Sequence, residues 1–163
     1  MSRRRRFWIA AIVLVGAGVA SYFTVGPWYR DGRDRARAYA QEWHDASDLR
    51  DALKQHARQN GGALPARWEQ LVDGGYFGLH RVPDRSRFRI AFGLRWEDVQ
   101  TCDSAETVQD QHGDALLLLE PAQASLVLNS GQFYRQISWE IAQAMREGAR
   151  AASQPAVSGR SGT

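Results

Sequence analysis

The longest apolar run in the chain is FWIAAIVLVGAGVASYFTV, Phe7 to Val25, with no charged residue inside it. As a helix rising ~1.5 Å per residue it is long enough to cross a hydrocarbon core. Arg3, Arg4, Arg5 and Arg6 precede it, and Trp8 at one end and Trp28 with Tyr29 at the other suit two membrane interfaces. The pattern predicts an anchor over residues 7–29, with residues 1–6 kept on the cytoplasmic side. A secretory signal peptide shares this basic-then-apolar grammar, and Gly18-Val19-Ala20 before Ser21 meets the small-x-small cleavage rule. The run continues through Tyr22, Phe23 and Val25 into a second aromatic pair, which favours a retained anchor.

The period then shifts. Tyr39, Trp43, Ala46, Leu49 or Arg50, Leu53 and Ala57 recur at spacings of three and four, while Arg37, Gln41, Asp45, Asp48, Asp51, Lys54 and Arg58 fill the other positions. This predicts a one-sided amphipathic helix from about Asp34 to Gln59, ended by Asn60-Gly61-Gly62. Pro65 opens a second, short helix with Trp68, Leu71 and Val72 inward, stopped at Gly74-Gly75. From Arg85, Phe88, Ile90, Phe92, Leu94 and Trp96 alternate with Arg87, Arg89, Ala91, Gly93 and Arg95, predicting a strand with one apolar and one arginine-rich face. Glu97 to Asp114 reads as a solvated loop. Ala115–Glu120 and Ser125–Asn129 read as a hairpin pair of short strands, and Phe133-Tyr134 as a further strand. Ser138 caps a last helix that carries Ile141, Ala144, Met145 and Ala149 inward. Beyond Ala152 the chain is rich in Ser, Gly and Gln without aromatics, which predicts a disordered tail over 152–163.

The expected fold class is therefore α+β. A transmembrane helix leads into a long amphipathic helix packed on a small antiparallel sheet of three or four strands, with a C-terminal helix. The folded domain spans residues 30–151. Its expected core takes in Trp43, Leu53, Trp68, Phe88, Ile90, Phe92 and Leu117 or Leu119.

Charge changes this picture little. The formal charge of +3 from 21 basic and 18 acidic side chains invites a nucleic-acid reading. Setting aside Arg3 to Arg6 leaves 17 basic side chains and a net of −1, so the basicity is a topology signal and nucleic acid is excluded as a partner. The single cysteine, Cys102, rules out an internal disulfide.

Leu49-x3-Leu53, then Asn60-Gly61-Gly62-Ala63-Leu64-Pro65, Leu71, and Gly74-Gly75-Tyr76 complete a recognisable segment behind a basic N-terminus and an apolar helix. It resembles type IV pilins and type II secretion pseudopilins over Leu49 to Leu79, about a fifth of the chain. In that family a long helix ends in an Asn-Gly-x-x-Pro type segment, followed by a short helix and Gly-Tyr before an antiparallel sheet. The chain departs from members processed by the prepilin peptidase. Arg6 stands where they carry Gly before Phe7, and no acidic residue lies in the apolar run. The resemblance implies a pilin-like protein that stays in a bacterial inner membrane, with its domain periplasmic and its partners other envelope, secretion or pilus proteins. It carries over no catalytic residue.

Candidate chemistry is sparse. Asp103, Glu106, Asp110 and Asp114 are oxygen donors on one flexible stretch and weak candidates for Ca²⁺, although the EF-hand pattern is absent. His44 and Asp48 stand i,i+4 without a third ligand at helical reach. No nucleophile motif or phosphate-cradling glycine loop appears, so neither an enzyme nor a cofactor is expected. Arg85, Arg87, Arg89 and Arg95 form the most binding-like feature, a face for an acidic partner, for anionic headgroups, or for the protein's own acidic loop. Two functions are expected from these residues. One is protein–protein contact in an envelope assembly; the alternative is a periplasmic small-ligand or Ca²⁺ module, anchored or secreted.

Overall fold

A computed structural model describes residues 3–102, 106–127 and 129–154, with backbone alone for residues 3–30 and for Cys102. The chain forms two compact units, Met1–Ala40 and Gln41–Thr163. The first is helical from Arg3 onward as the opening part of helix α1 (Arg3–Gln59). Arg3, Arg4, Arg5, Arg6, Trp8, Trp28 and Tyr29, expected as the anchor, lie where only that helical backbone is described. Among the described residues no helix is long and apolar enough to cross a membrane.

The second unit holds the rest of α1, helix α2 (Glu69–Asp73), strands β1 (Phe88–Ile90), β2 (Gln100–Cys102), β3 (Thr107–Gln109) and β4 (Leu119–Pro121), and helix α3 (Ser130–Ser153). Its class is the expected α+β. The strands form two antiparallel ladders: β1 with β4, Arg89 opposite Glu120, and β2 with β3, Thr101 opposite Val108. The segment 115–118 links them. Ala115 bridges Gln109, Leu116 N–H donates to the Val108 carbonyl at 2.8 Å, and Ala91 N–H donates to the Leu118 carbonyl at 3.1 Å.

Several expected elements differ, each for a local reason. The strand from Arg85 to Trp96 shortens to β1. Asp84 accepts from Ser86 N–H and starts a 3₁₀ turn over Arg85–Arg87. At the far end Phe92 N–H turns back to the Ile90 carbonyl, and Gly93 takes φ 74°. Gly93 N–H then donates to the Pro65 carbonyl, and Leu64 N–H to the Leu94 carbonyl, so this stretch pairs with the linker before α2. The acidic loop contains a hairpin, β2 and β3. Residues 125–127 are not a strand, and β4 pairs with β1 in their place. Phe133-Tyr134 is helical, because α3 begins at Ser130 after Asn129 in the left-handed region (φ 56°). The tail residues Ala152 and Ser153 belong to α3, and residues 155–163 lie outside the described residues.

Ser138 therefore lies inside α3 and caps nothing. It is fully buried, and its Oγ accepts from Leu118 N–H at 2.9 Å, supplying a partner that the ladder does not. The packed face of α1 is Ala46, Leu49, Ala52, Leu53 and Ala57; that of α3 is Tyr134, Ile137, Ile141, Ala142 and Met145. Leu118, Leu119, Phe88, Trp68, Leu71 and Phe77 close the core. Ile90, Phe92 and Leu117 are only half-buried, and Val72, expected inward, is exposed. Lys54–Glu140 and Arg58–Glu147 ion pairs advance together along both helices, so α3 runs parallel to this part of α1.

His56 lies near the end of the buried face of α1, its ring tilted 57° against that of Tyr76, with its Nδ1 3.1 Å from the Ala63 carbonyl. Burial lowers its pKa below 6.5, and the hydrogen bond to Ala63 only partly opposes this. The unfolded chain thus takes up the proton first. The stability that neutral His56 contributes is full above about pH 6.5 and is lost as the pH falls through its lower folded value. Urea midpoints measured at about pH 7.5 and about pH 5 are expected to fall on acidification, and the His56→Gln variant to fall less.

Candidate functional site

The arginine face resolves into separate ion pairs. Arg85 Nη1 lies 3.5 Å from Glu69, Arg87 Nη1 2.7 Å from Asp45, and Arg89 Nη1 3.9 Å from Glu120. Arg95 is exposed, and its backbone N–H donates to the Asp98 carboxylate at 2.8 Å. The carboxylates that meet these three guanidinium groups come from α2, α1 and β4, whereas the acidic stretch 97–114 supplies none of them. Arg87 departs furthest from the expected surface role. The 3₁₀ turn rotates it off the Arg89 face and lays it against α1.

There it meets residues that the apolar pattern assigns to solvent. Glu42 and Asp45 are each only 6% exposed, while Trp43, expected in the core, is 42% exposed. Glu42 Oε1 accepts from the Tyr134 hydroxyl at 3.1 Å and from Ser125 Oγ, and Oε2 accepts from Leu126 N–H at 2.9 Å. Asp45 accepts from Arg87 and, at 2.8 Å, from Gln41 Nε2. The inner surface facing the start of this unit is thus a set of donors, which carboxylates can satisfy and an indole cannot. Burial first, then the charge of Glu42, pushes the Tyr134 phenol well above its ordinary pKa, so it stays a hydrogen-bond donor.

A cavity of about 190 Å³ opens beside this cluster, with Glu42 and Arg87 in its wall together with Pro121, Ala124 and Leu126. A second cavity of about 290 Å³ lies between β3, residues 115–117 and the start of α3, and it is mostly apolar with Arg135 at its edge. The Glu42 cluster combines buried charge, several convergent donors and an open volume, which is the usual composition of a binding site.

No protein family, curated protein or solved structure matches the chain. The likeness to pilins therefore rests on the segment Leu49 to Leu79 and on the order of elements around it. In that segment α1 ends at Gln59, with Gly61 and Gly62 both in the left-handed region.

The acidic candidates separate. Asp103 lies outside the described residues, and Glu106 is exposed at φ 48°. Asp110 Oδ1 accepts from His112 N–H at 2.8 Å and Asp114 N–H at 3.0 Å, a local turn that holds its pKa below the usual carboxylate value. Among the described residues no group of three or more His, Cys, Asp or Glu could hold a metal ion. Asp48 lies 3.8 Å from His80 Nδ1, while His44 packs edge-on against Trp43.

Nothing in the hydropathy pattern pointed to Glu42 or Asp45. The one signal is their spacing: i,i+3, at the phase that continues backward from Ala46, Leu49 and Leu53.

Proposed function

We propose that the chain is a single-pass protein of a bacterial inner membrane, N-terminus cytoplasmic, whose folded unit works in the periplasm by protein–protein contact. The assembly is of secretion or pilus type, and the role is not enzymatic. The observation that carries this reading is Leu79. It is fully exposed on a turn built on Gly75 and Gly78, both in the left-handed region. Gly78 N–H closes on the Gly75 carbonyl and His80 N–H on the Phe77 carbonyl. Phe77 is buried against Trp68, with ring centroids 5.7 Å apart, so the turn is fixed from below while Leu79 is held in water. Val82 and Val72 are also exposed nearby in sequence, with Arg81 and Arg85 between and beyond them. An apolar side chain held out by a fixed backbone suits insertion into a partner's pocket. The cavity beside Glu42 favours, as a second reading, a module that binds a small ligand.

The full chain expressed in a Gram-negative host tests the first reading. Alkaline-washed membranes are expected to retain a protein that begins at its own N-terminus, and a reporter fused after Thr163 to be active only in the periplasm. A photo-crosslinker at position 79 is expected to give a discrete adduct that the same group at exposed Gln55 does not. A soluble product beginning near Ser21, a cytoplasmic reporter, or equal crosslinking from both positions would overturn it.

A further inference from the structure

We propose that the cavity beside Glu42 is a recognition pocket for an aliphatic cation, the ammonium or guanidinium head of a lysine-like or arginine-like chain. The buried charges grouped beside it do not balance. Glu42 and Asp45 are both almost wholly buried carboxylates; Glu42 lines the cavity with the Arg87 guanidinium, and Asp45 lies outside its wall. Arg87 gives its Nη1 to Asp45 at 2.7 Å, which matches one negative charge with one positive. Glu42 is left with three neutral donors, the hydroxyls of Ser125 and Tyr134 and the N–H of Leu126. None of the ion pairs among the described residues reaches Glu42.

A carboxylate withdrawn from water is stabilised most by an opposite charge at contact, and an attraction at this depth is several times stronger than in bulk water. Oε2 accepts a single bond from the protein, so acceptor capacity remains on the carboxylate. The remaining walls decide what carries the charge. Pro121, Ala124 and Leu126 offer carbon surface beside the polar Ser86 and Gln123, and Leu126 is half-exposed. That surface suits a methylene stem with its head at Glu42, the arrangement in which long cationic side chains ordinarily bury their carbons. With Arg87 committed to Asp45, the charge left facing the cavity is that of Glu42, which disfavours a small anion and gives a bare alcohol nothing.

The inference is independent of whether the folded unit has a protein partner, since a free alkyl amine and a lysine on another chain bring the same head group. The test uses the full-length protein in detergent micelles and follows the Leu126 amide by NMR. The probes are n-butylamine, n-butylguanidine and N-acetyl-lysine N-methylamide, with n-butanol and butyrate as controls. Saturable shifts are expected with the three cations and not with the controls. Glu42→Gln is expected to weaken the cations at least ~10-fold, the loss of one charge contact. Ala124→Trp, an exposed position that fills the cavity and leaves the carboxylate alone, is expected to abolish saturation, and it carries the test where Glu42→Gln does not fold. Tighter binding of the lysine amide than of n-butylamine assigns the pocket to a partner's side chain; the reverse order assigns it to a free amine. Absence of saturation by any cation, equal binding of butanol, or undiminished binding in Ala124→Trp would overturn the proposal.

Discussion

Replacing Gly148 by alanine is expected to destabilise the folded unit by ~2–3 kcal/mol and to lower its melting temperature by roughly 10 °C. The sign is the informative part, because Gly→Ala inside a helix ordinarily stabilises by ~1 kcal/mol. Gly148 is buried on α3, where that helix meets the end of α1. A Cβ there would press into the Ala57 carbonyl oxygen and lie 2.7 Å from the Gly62 nitrogen. Both are backbone atoms, so no side chain can swing aside to admit the methyl group. The same contact seen from the other side is Gly62, at φ 82°, whose added Cβ would meet the Met145 carbonyl oxygen and lie 2.9 Å from the Ala149 Cβ. Gly62→Ala combines this collision with a left-handed backbone that costs L-residues ~1–2 kcal/mol, so its loss is expected to equal or exceed that of Gly148→Ala. Gly131→Ala is the control: it also lies in α3, with nothing within 4 Å of the added carbon. It is expected to leave the melting temperature unchanged or slightly raised. Thermal denaturation of the three variants side by side checks the pattern, and a neutral Gly148→Ala would refute it.

The glycine contact also shows what the chain discloses before folding. Asn60-Gly61-Gly62 announces the end of α1, because left-handed residues past a helix follow from local sterics. That Gly62 faces Gly148 across 86 positions is a packing fact with no local signature. The sheet divides in the same way. Phe88 and Ile90 alternate as a strand should, yet Leu94 and Trp96 continue the alternation without continuing the strand. The competing partner is remote: the Pro65 carbonyl and Leu64 N–H pair with Gly93 and Leu94. Leu118 and Leu119 are both fully buried, which alternation forbids. It is possible here because the Leu118 N–H turns to Ser138 on α3 while only its carbonyl bonds across to Ala91. In α3 the register of Ile141, Ala144 and Met145 was legible from spacing. Its start eight residues before Ser138 was not, since Phe133-Tyr134 fits a strand equally well.

The polar cluster around Glu42 was hidden for a sharper reason. A hydropathy stripe ranks Trp43 inward and Glu42 and Asp45 outward, whereas the folded unit does the opposite. What overrides the ranking is the chemistry of the facing surface. Tyr134, Ser125, the Leu126 amide and Arg87 converge on one turn of α1, and a buried donor without an acceptor costs more than an indole left partly in water. The first part of this unit's helix is thus placed by polar matching, and the stripe from Ala46 onward by apolar burial.

Glu42→Ala is consequently expected to be among the most damaging single changes, ~3 kcal/mol or more and roughly 10 °C in melting temperature, although it removes a charge. The alanine leaves the hydroxyl of Tyr134, a residue only 1% exposed, the Ser125 hydroxyl and the Leu126 N–H with no acceptor from α1. An orphaned buried donor costs ~1–3 kcal/mol, which applies in full to Tyr134, while the half-buried Ser125 and exposed Leu126 recover part of the loss from water. Asp45→Ala is the comparison. It frees Arg87, but that side chain is already 34% exposed and can turn to solvent, so the loss is expected to stay near ~1 kcal/mol. Tyr134→Phe removes one donor and its need together, and in the background of Glu42→Ala it is expected to recover part of the stability. The measurement is a double-mutant cycle by urea denaturation. Strictly additive losses would mean that the two side chains do not interact, and that the Tyr134 hydroxyl plays no part in orienting this end of α1.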